Sequence, residues 1–84
     1  MAELDAAERD RLHDSSFAYI DKRGERHLPI NDENHVRNAI SRFDQTDFES
    51  PNARHAAARK IKAAAVRHGV EVDIASDVAR AARR

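Results

Sequence analysis

Five histidines, 15 Lys or Arg and 15 Asp or Glu stand in a chain of 84 residues that has no cysteine, and these are the side chains with chemistry to offer. His13, His27, His35, His55 and His68 are the residues that could ligate a metal or move a proton. No two of them are four apart, none sits in an H-E-x-x-H string, and no thiolate is available to complete a zinc set. Their spacing therefore points to surface or capping roles and to no metal. A nucleophilic serine needs a strained turn beside a base. Ser15, Ser16, Ser41, Ser50 and Ser76 fall instead where a turn, a surface or a helix cap explains them. The expectation is a non-catalytic protein without a cofactor.

Cations carry the stronger signal. The formal charge is zero but unevenly spread. Residues 1–34 hold nine acids against five Lys or Arg, whereas residues 51–70 hold five bases, Arg54, Arg59, Lys60, Lys62 and Arg67, and no acid. A second polar group lies in HLPINDENHVRNAISRF, residues 27–43, which sets His35, Arg37, Asn38 and Arg42 around a narrow apolar seam. Together His35, Arg37, Asn38, Arg42, Arg59, Lys60, Lys62 and Arg67 are the candidate contacts for a partner or for phosphate. At about 100° per residue, Arg59 and Lys62 fall on one flank of their helix and Lys60 and Arg67 on the other. They bracket the buried stripe instead of forming one ridge. That placement and a pI of about 7.0 argue against a constitutive DNA binder. The plain alternative is a solvated face whose cations meet acids such as Asp44 or Glu49.

These side chains must be positioned by a small number of elements. Leu4, Ala7 and Leu12 recur at near-helical spacing among acids, which predicts a short helix over residues 3–12. FAYIDKRGERHLPI reads as a hairpin. Phe17–Ile20 is β-prone, Gly24 tolerates φ > 0, and Arg26–Ile30 returns until Pro29, which has no N–H to donate. Phe17 and Tyr19 share one face and Leu28 and Ile30 another, with the register open. Asp32 is an N-cap, and Val36, Ala39, Ile40 and Phe43 follow at i, i+3, i+4, i+7 as a buried stripe over 33–43. DQTDFES is a loop anchored by Phe48. Ser50-Pro51 opens a helix over 51–68 whose inner face is Ala57, Ala58, Ile61, Ala64 and Ala65, and Gly69 closes it. Ile74–Arg84 offers a short helix with Ile74 and Val78 inward, in competition with terminal fraying.

The pattern resembles a family of small uncharacterised bacterial proteins, with relatives that look like terminal pieces of bacteriophage-encoded proteins. The carrying residues are FAYID with Gly24, LPIND (28–32), HVRNAISRF (35–43) with Gln45, and ARKIKAAAVRHGVEV (58–72). The string LPI-x-D-x-x-HVRNA-x-x-RF is the specific part. The resemblance covers roughly residues 15–72 and implies a repeated architecture and no catalytic residues.

Composition sets the frame around these elements. A chain this short buries only about 60–65% of its unfolded surface. With 36% charged residues its core must be small and its folding open to help from a partner. The absence of cysteine fits a reducing cytoplasm, and no apolar run approaches the roughly 20 residues a membrane span requires. The reading is one α+β domain, a small β-hairpin packed on two main helices with short helical N- and C-terminal segments. It divides into residues 1–14, an acidic segment; 15–72, the core; and 73–84, a tail. Its expected role is a binding or adaptor domain that contacts another protein or its own copy. The rival is a nucleic-acid-binding accessory protein using the basic helix 51–68.

Overall fold

A computed structural model describes residues 16–73 and 76–83. Along the chain run β1 (Phe17–Ile20), β2 (Arg26–Pro29), α1 (Glu33–Arg42), a 3-10 turn (Phe43–Gln45), α2 (Pro51–His68) and α3 (Asp77–Ala82). The helix expected over 3–12 and the inward Ile74 lie outside the described residues.

β1 and β2 pair antiparallel, with Phe17 opposite Pro29, Tyr19 opposite His27 and Ile20 opposite Arg26. The turn is organised by Asp21. Its carbonyl accepts the Gly24 N–H at 2.9 Å, and its Oδ1 accepts the N–H groups of Arg23 and Glu25, each at 2.9 Å. Gly24 sits at φ 86°, the left-handed position that closes a three-residue hairpin loop. Leu28 is the surprise of the hairpin, a non-glycine residue at φ 58° with its side chain buried. A left-handed residue breaks the two-residue alternation of a strand. The two expected faces accordingly converge, and Tyr19, Leu28 and Ile30 join a single apolar cluster.

Asp32 begins α1 as the sequence predicts, its Oδ1 accepting the His35 N–H at 2.8 Å. The helix ends at Arg42, one residue before the expected limit, and Phe43 opens the 3-10 turn. Val36, Ala39 and Phe43 are buried, while Ile40 packs at the edge of the cluster, half-buried. Ser50 caps α2 through its Oγ, which accepts the Ala53 N–H at 3.0 Å. Gly69 stops it at φ 68°, with the Val70 N–H returning to the Ala65 carbonyl at 2.8 Å. This is the double-bonded glycine stop that satisfies the last free carbonyls.

α2 is the hub of the fold. Its Ala57, Ala58, Ile61, Ala64 and Ala65 are fully buried, and β1, α1 and α3 all pack on it. Side chains this small leave no ridge, so neighbouring backbones approach closely and each methyl is covered. α3 makes use of that smoothness. Ser76 caps it, Val78, Ala79 and Ala81 are buried, and the His55 Nδ1–H donates to the Ala81 carbonyl at 2.8 Å. Residues 77–82 are thus part of the packed fold and not a frayed end. The architecture is α+β, a two-stranded hairpin and three helices among the described residues.

Three aromatic rings seal the other side of the core. Phe48 meets Tyr19 edge-on at 4.8 Å between centroids and Phe43 at 5.1 Å, and the Arg54 guanidinium lies over Phe43 at 4.8 Å. Next to Phe48, Glu49 clamps hairpin to loop. Its Oε1 accepts from the Tyr19 hydroxyl at 3.1 Å and from the Lys22 N–H at 2.9 Å, while its own N–H donates to the Tyr19 oxygen at 3.1 Å. Burial pushes the Tyr19 phenol above its ordinary value, and the adjacent Glu49 carboxylate adds to that rise.

Candidate functional site

The eight residues expected to contact a partner separate into three environments. His35 leaves the solvated collar altogether, being 7% exposed. Its backbone N–H donates to Asp32 Oδ1, and its imidazole Nδ1 lies 2.7 Å from the same oxygen. The reason is positional: three residues after the N-cap, a side chain leans back over the helix start, where a carboxylate waits. Burial alone would raise the Asp32 carboxyl, but the His35 N–H, the His35 imidazole and the nearby charge of His68 outweigh it and hold the carboxyl below its ordinary range. The start of α1 is thus closed by a polar pair, Asp32 with His35.

Arg37, Asn38 and Arg42 remain exposed on α1. Arg37 pairs with Glu33 one turn back. Neither hydrogen bond nor ion pair joins Arg42 to any cation-bearing residue of α2 or to an acid among the described residues. With His35 buried, Arg37, Asn38 and Arg42 are what remains of the collar at the surface.

Arg59, Lys60, Lys62 and Arg67 are all exposed, and none meets an acid among the described residues. The neutralisation expected from Glu49 does not occur, because that carboxylate is spent on Tyr19 and Lys22. Between the two basic flanks, opposite the buried Ile61, runs a crest of exposed Ala56, Ala63 and Val66. Val66 is 81% exposed, the large apolar side chain left outside the core. The helical angle places Lys62 to one side of this crest and Lys60 and Arg67 to the other, while Arg59, one turn from both Ala56 and Ala63, stands on the crest itself. α2 is consequently two-faced: alanine and isoleucine inside, and outside a narrow apolar crest edged by cations and crossed by Arg59.

Sequence reasoning missed one donor cluster. Asp21, Glu25 and His27 bring one imidazole nitrogen and two carboxylates within 4.8 Å of one another across the hairpin turn. A search for histidines four apart cannot find it, because a hairpin loop and not a helix juxtaposes the three. Asp21 is already occupied, with Oδ1 on two backbone N–H groups and Oδ2 on His27 Nε2 at 3.0 Å. The His27 bond is the main influence holding the Asp21 carboxyl below its ordinary range, against the effect of burial, with the two N–H donors adding to it. His27 also stacks on Tyr19, 5.4 Å between centroids. These contacts lock the hairpin, and Glu25 is the exposed member of the cluster.

No helix among the described residues is long and apolar enough to cross a membrane. No curated protein and no solved structure matches the chain. A family match does exist, and it reaches beyond the 15–72 stretch that carries the sequence resemblance to take in most of the acidic N-terminal segment. Residues 3–75 match the family of unknown function DUF6582, and the chain belongs to that family.

Proposed function

We propose that this chain is a small non-catalytic binding domain that presents the outer face of α2 to a partner protein. The observation that carries this reading is Val66, 81% exposed at the C-terminal end of a crest edged by cations that meet no acid among the described residues. A single exposed valine is ordinary on a protein surface. Here it stands with Ala56 and Ala63 along about 15 Å of one helix, at 1.5 Å per residue. The inner face of α2 carries the contacts with β1, α1 and α3, and the described residues leave this crest exposed. A bacterial or phage setting and a cytoplasmic location belong to the same proposal; they rest on the LPI-x-D-x-x-HVRNA string and on the lack of cysteine.

Nucleic acid is the second reading, favoured by the four exposed cations. Phosphate contacts need cations on one continuous surface, whereas Lys62 stands across the crest from Lys60 and Arg67. A photo-crosslinking amino acid at position 66 tests the choice in cells. A protein adduct formed at position 66 and absent when the same group stands at Arg37 is expected. A nucleic-acid adduct at position 66 would replace the protein reading with its rival.

A further inference from the structure

The crest of α2 and its bracketing cations also specify what kind of protein surface fits them. Resting on the protein-binding reading above, we propose that the outer face of α2 receives an acidic amphipathic helix, one whose apolar strip is flanked on both sides by Asp or Glu.

Charge selects the flanks. Residues 51–70 contain five bases and no acid, and Arg59, Lys60, Lys62 and Arg67 stand exposed without an acid partner among the described residues. A partner that covers the crest must run between Lys62 on one side and Lys60 and Arg67 on the other, and must meet Arg59 on the crest itself. A helix with carboxylates along both edges of its apolar strip meets them pairwise, while a basic or neutral partner strands them. A symmetric contact with a second copy through the same face is disfavoured on the same ground, since a two-fold axis at the crest sets one copy's bases against the other's.

Shape selects the strip. Ala63 adds almost nothing to the helix radius and, with Val66 one turn on, leaves a short apolar patch beside Arg59 against which a partner helix can rest. Val66 then projects as a knob into the partner's apolar strip. The recognition is the helix-in-groove mode with its polarity inverted, the receiving surface being itself a helix crest walled by long cationic side chains. The methylene stems of Lys60, Lys62 and Arg67 extend the apolar surface sideways while their charged ends reach outward.

The test uses the isotopically labelled full-length chain and three synthetic helices. The first carries Leu and Ala at i, i+3, i+4, i+7 with Glu on both flanks. The second replaces every Glu by Lys. The third keeps the Glu count and scrambles the apolar strip. Binding of the first alone is expected, with amide shifts concentrated between Ala56 and Arg67 and affinity falling about tenfold or more from low salt to roughly 0.5 M salt as the pairs are screened. Val66→Ser and Lys62→Glu, both at exposed positions, should each weaken that binding severalfold while leaving the remaining spectrum and the melting temperature unchanged.

Equal binding of the scrambled helix together with an indifferent Val66→Ser variant would overturn the proposal, because charge alone would then suffice. So would binding of the Lys helix, shifts centred away from α2, or a concentration-dependent dimer formed through this face. An intramolecular crosslink from position 66 to residues 1–14 would overturn it too, by making the chain's own acidic segment the occupant. No binding by any helix, alongside a protein adduct at position 66, would sink the acidic-helix proposal and leave the protein-binding reading standing. Duplex DNA bound at the same face more tightly than the first helix would sink both.

Discussion

Single residues in this domain carry strain and charge that the fold converts into specificity. Leu28 holds a left-handed backbone, which costs a non-glycine residue roughly 1–2 kcal/mol, against about 1.5–3 kcal/mol from burying its side chain. Burial wins by a narrow margin, which is why a leucine can stay there. Leu28→Ala loses the burial and keeps the strain, while Leu28→Gly loses the burial and relieves it. Chemical denaturation should therefore find the glycine variant at least as stable as the alanine one, the reverse of the ordinary order within a strand. Asp32 is the second case. Its folded-state carboxyl lies below the ordinary value, so the stability it adds is complete above the unfolded pKa near 4 and drains away as pH falls through the folded value. The melting-temperature gap between the wild type and Asp32→Asn should narrow as the pH falls below about 4. A gap unchanged at about pH 3 would mean that the Asp32–His35 contact adds nothing as a charged pair. The Asp32 cap was legible in the sequence. The return of His35 onto that cap was not, because nothing local distinguishes a solvated histidine from one folded back over a helix start.

At the scale of elements, punctuation and periodicity account for most of what is seen. Ser50-Pro51 and Gly69 delimit α2 at the residues the sequence indicates, since capping chemistry is local and acts on residues at most a few positions away. A Cβ at Gly69 would meet nothing within 4 Å, so Gly69→Ala should cost about 1 kcal/mol from backbone conformation alone. Gly69→Val should cost more. A thermal melt in which both variants match the wild type would remove the left-handed stop as a source of stability. The seam between α1 and α2 rests on Phe43, Val36 and Ile61, all fully buried, with Phe43 also supporting Phe48. Phe43→Ala should cost about 3–5 kcal/mol, a large share of the stability of a domain this size. Denaturant midpoints measure that loss directly. The clamp of Glu49 on Tyr19 and Lys22 lay beyond sequence reading, because it joins residues 27 to 30 positions apart.

For the whole molecule, a net charge of zero conceals a divided surface. The hairpin turn and the start of α1 engage acids internally, with Asp21 on His27 and backbone, Asp32 on His35 and Glu33 on Arg37, and the exposed cations of α2 meet no acid among the described residues. That division predicts weak, salt-limited attraction to nucleic acid and nothing tighter. Fluorescence polarisation with a short DNA duplex should show binding at low salt that disappears near 0.15 M salt, and Arg42→Glu combined with Lys62→Glu should reduce the low-salt signal without altering the melting temperature. Saturable binding that survives physiological salt would move the nucleic-acid reading ahead of the protein one.

The α+β class, the hairpin turn at Gly24, the limits and inner face of α2 and the cap of α1 follow from the sequence by itself, because each depends on backbone preferences or on a period repeated within one element. Which element covers which surface does not follow. The tertiary structure alone decided that α3 and the hairpin claim the alanine face of α2, that His35 turns inward, and that Glu49 is spent on Tyr19. Those outcomes are competitions among distant groups for one partner, and a carboxylate or an apolar face can be used only once. The crest of Ala56, Ala63 and Val66 is what that competition leaves uncovered among the described residues.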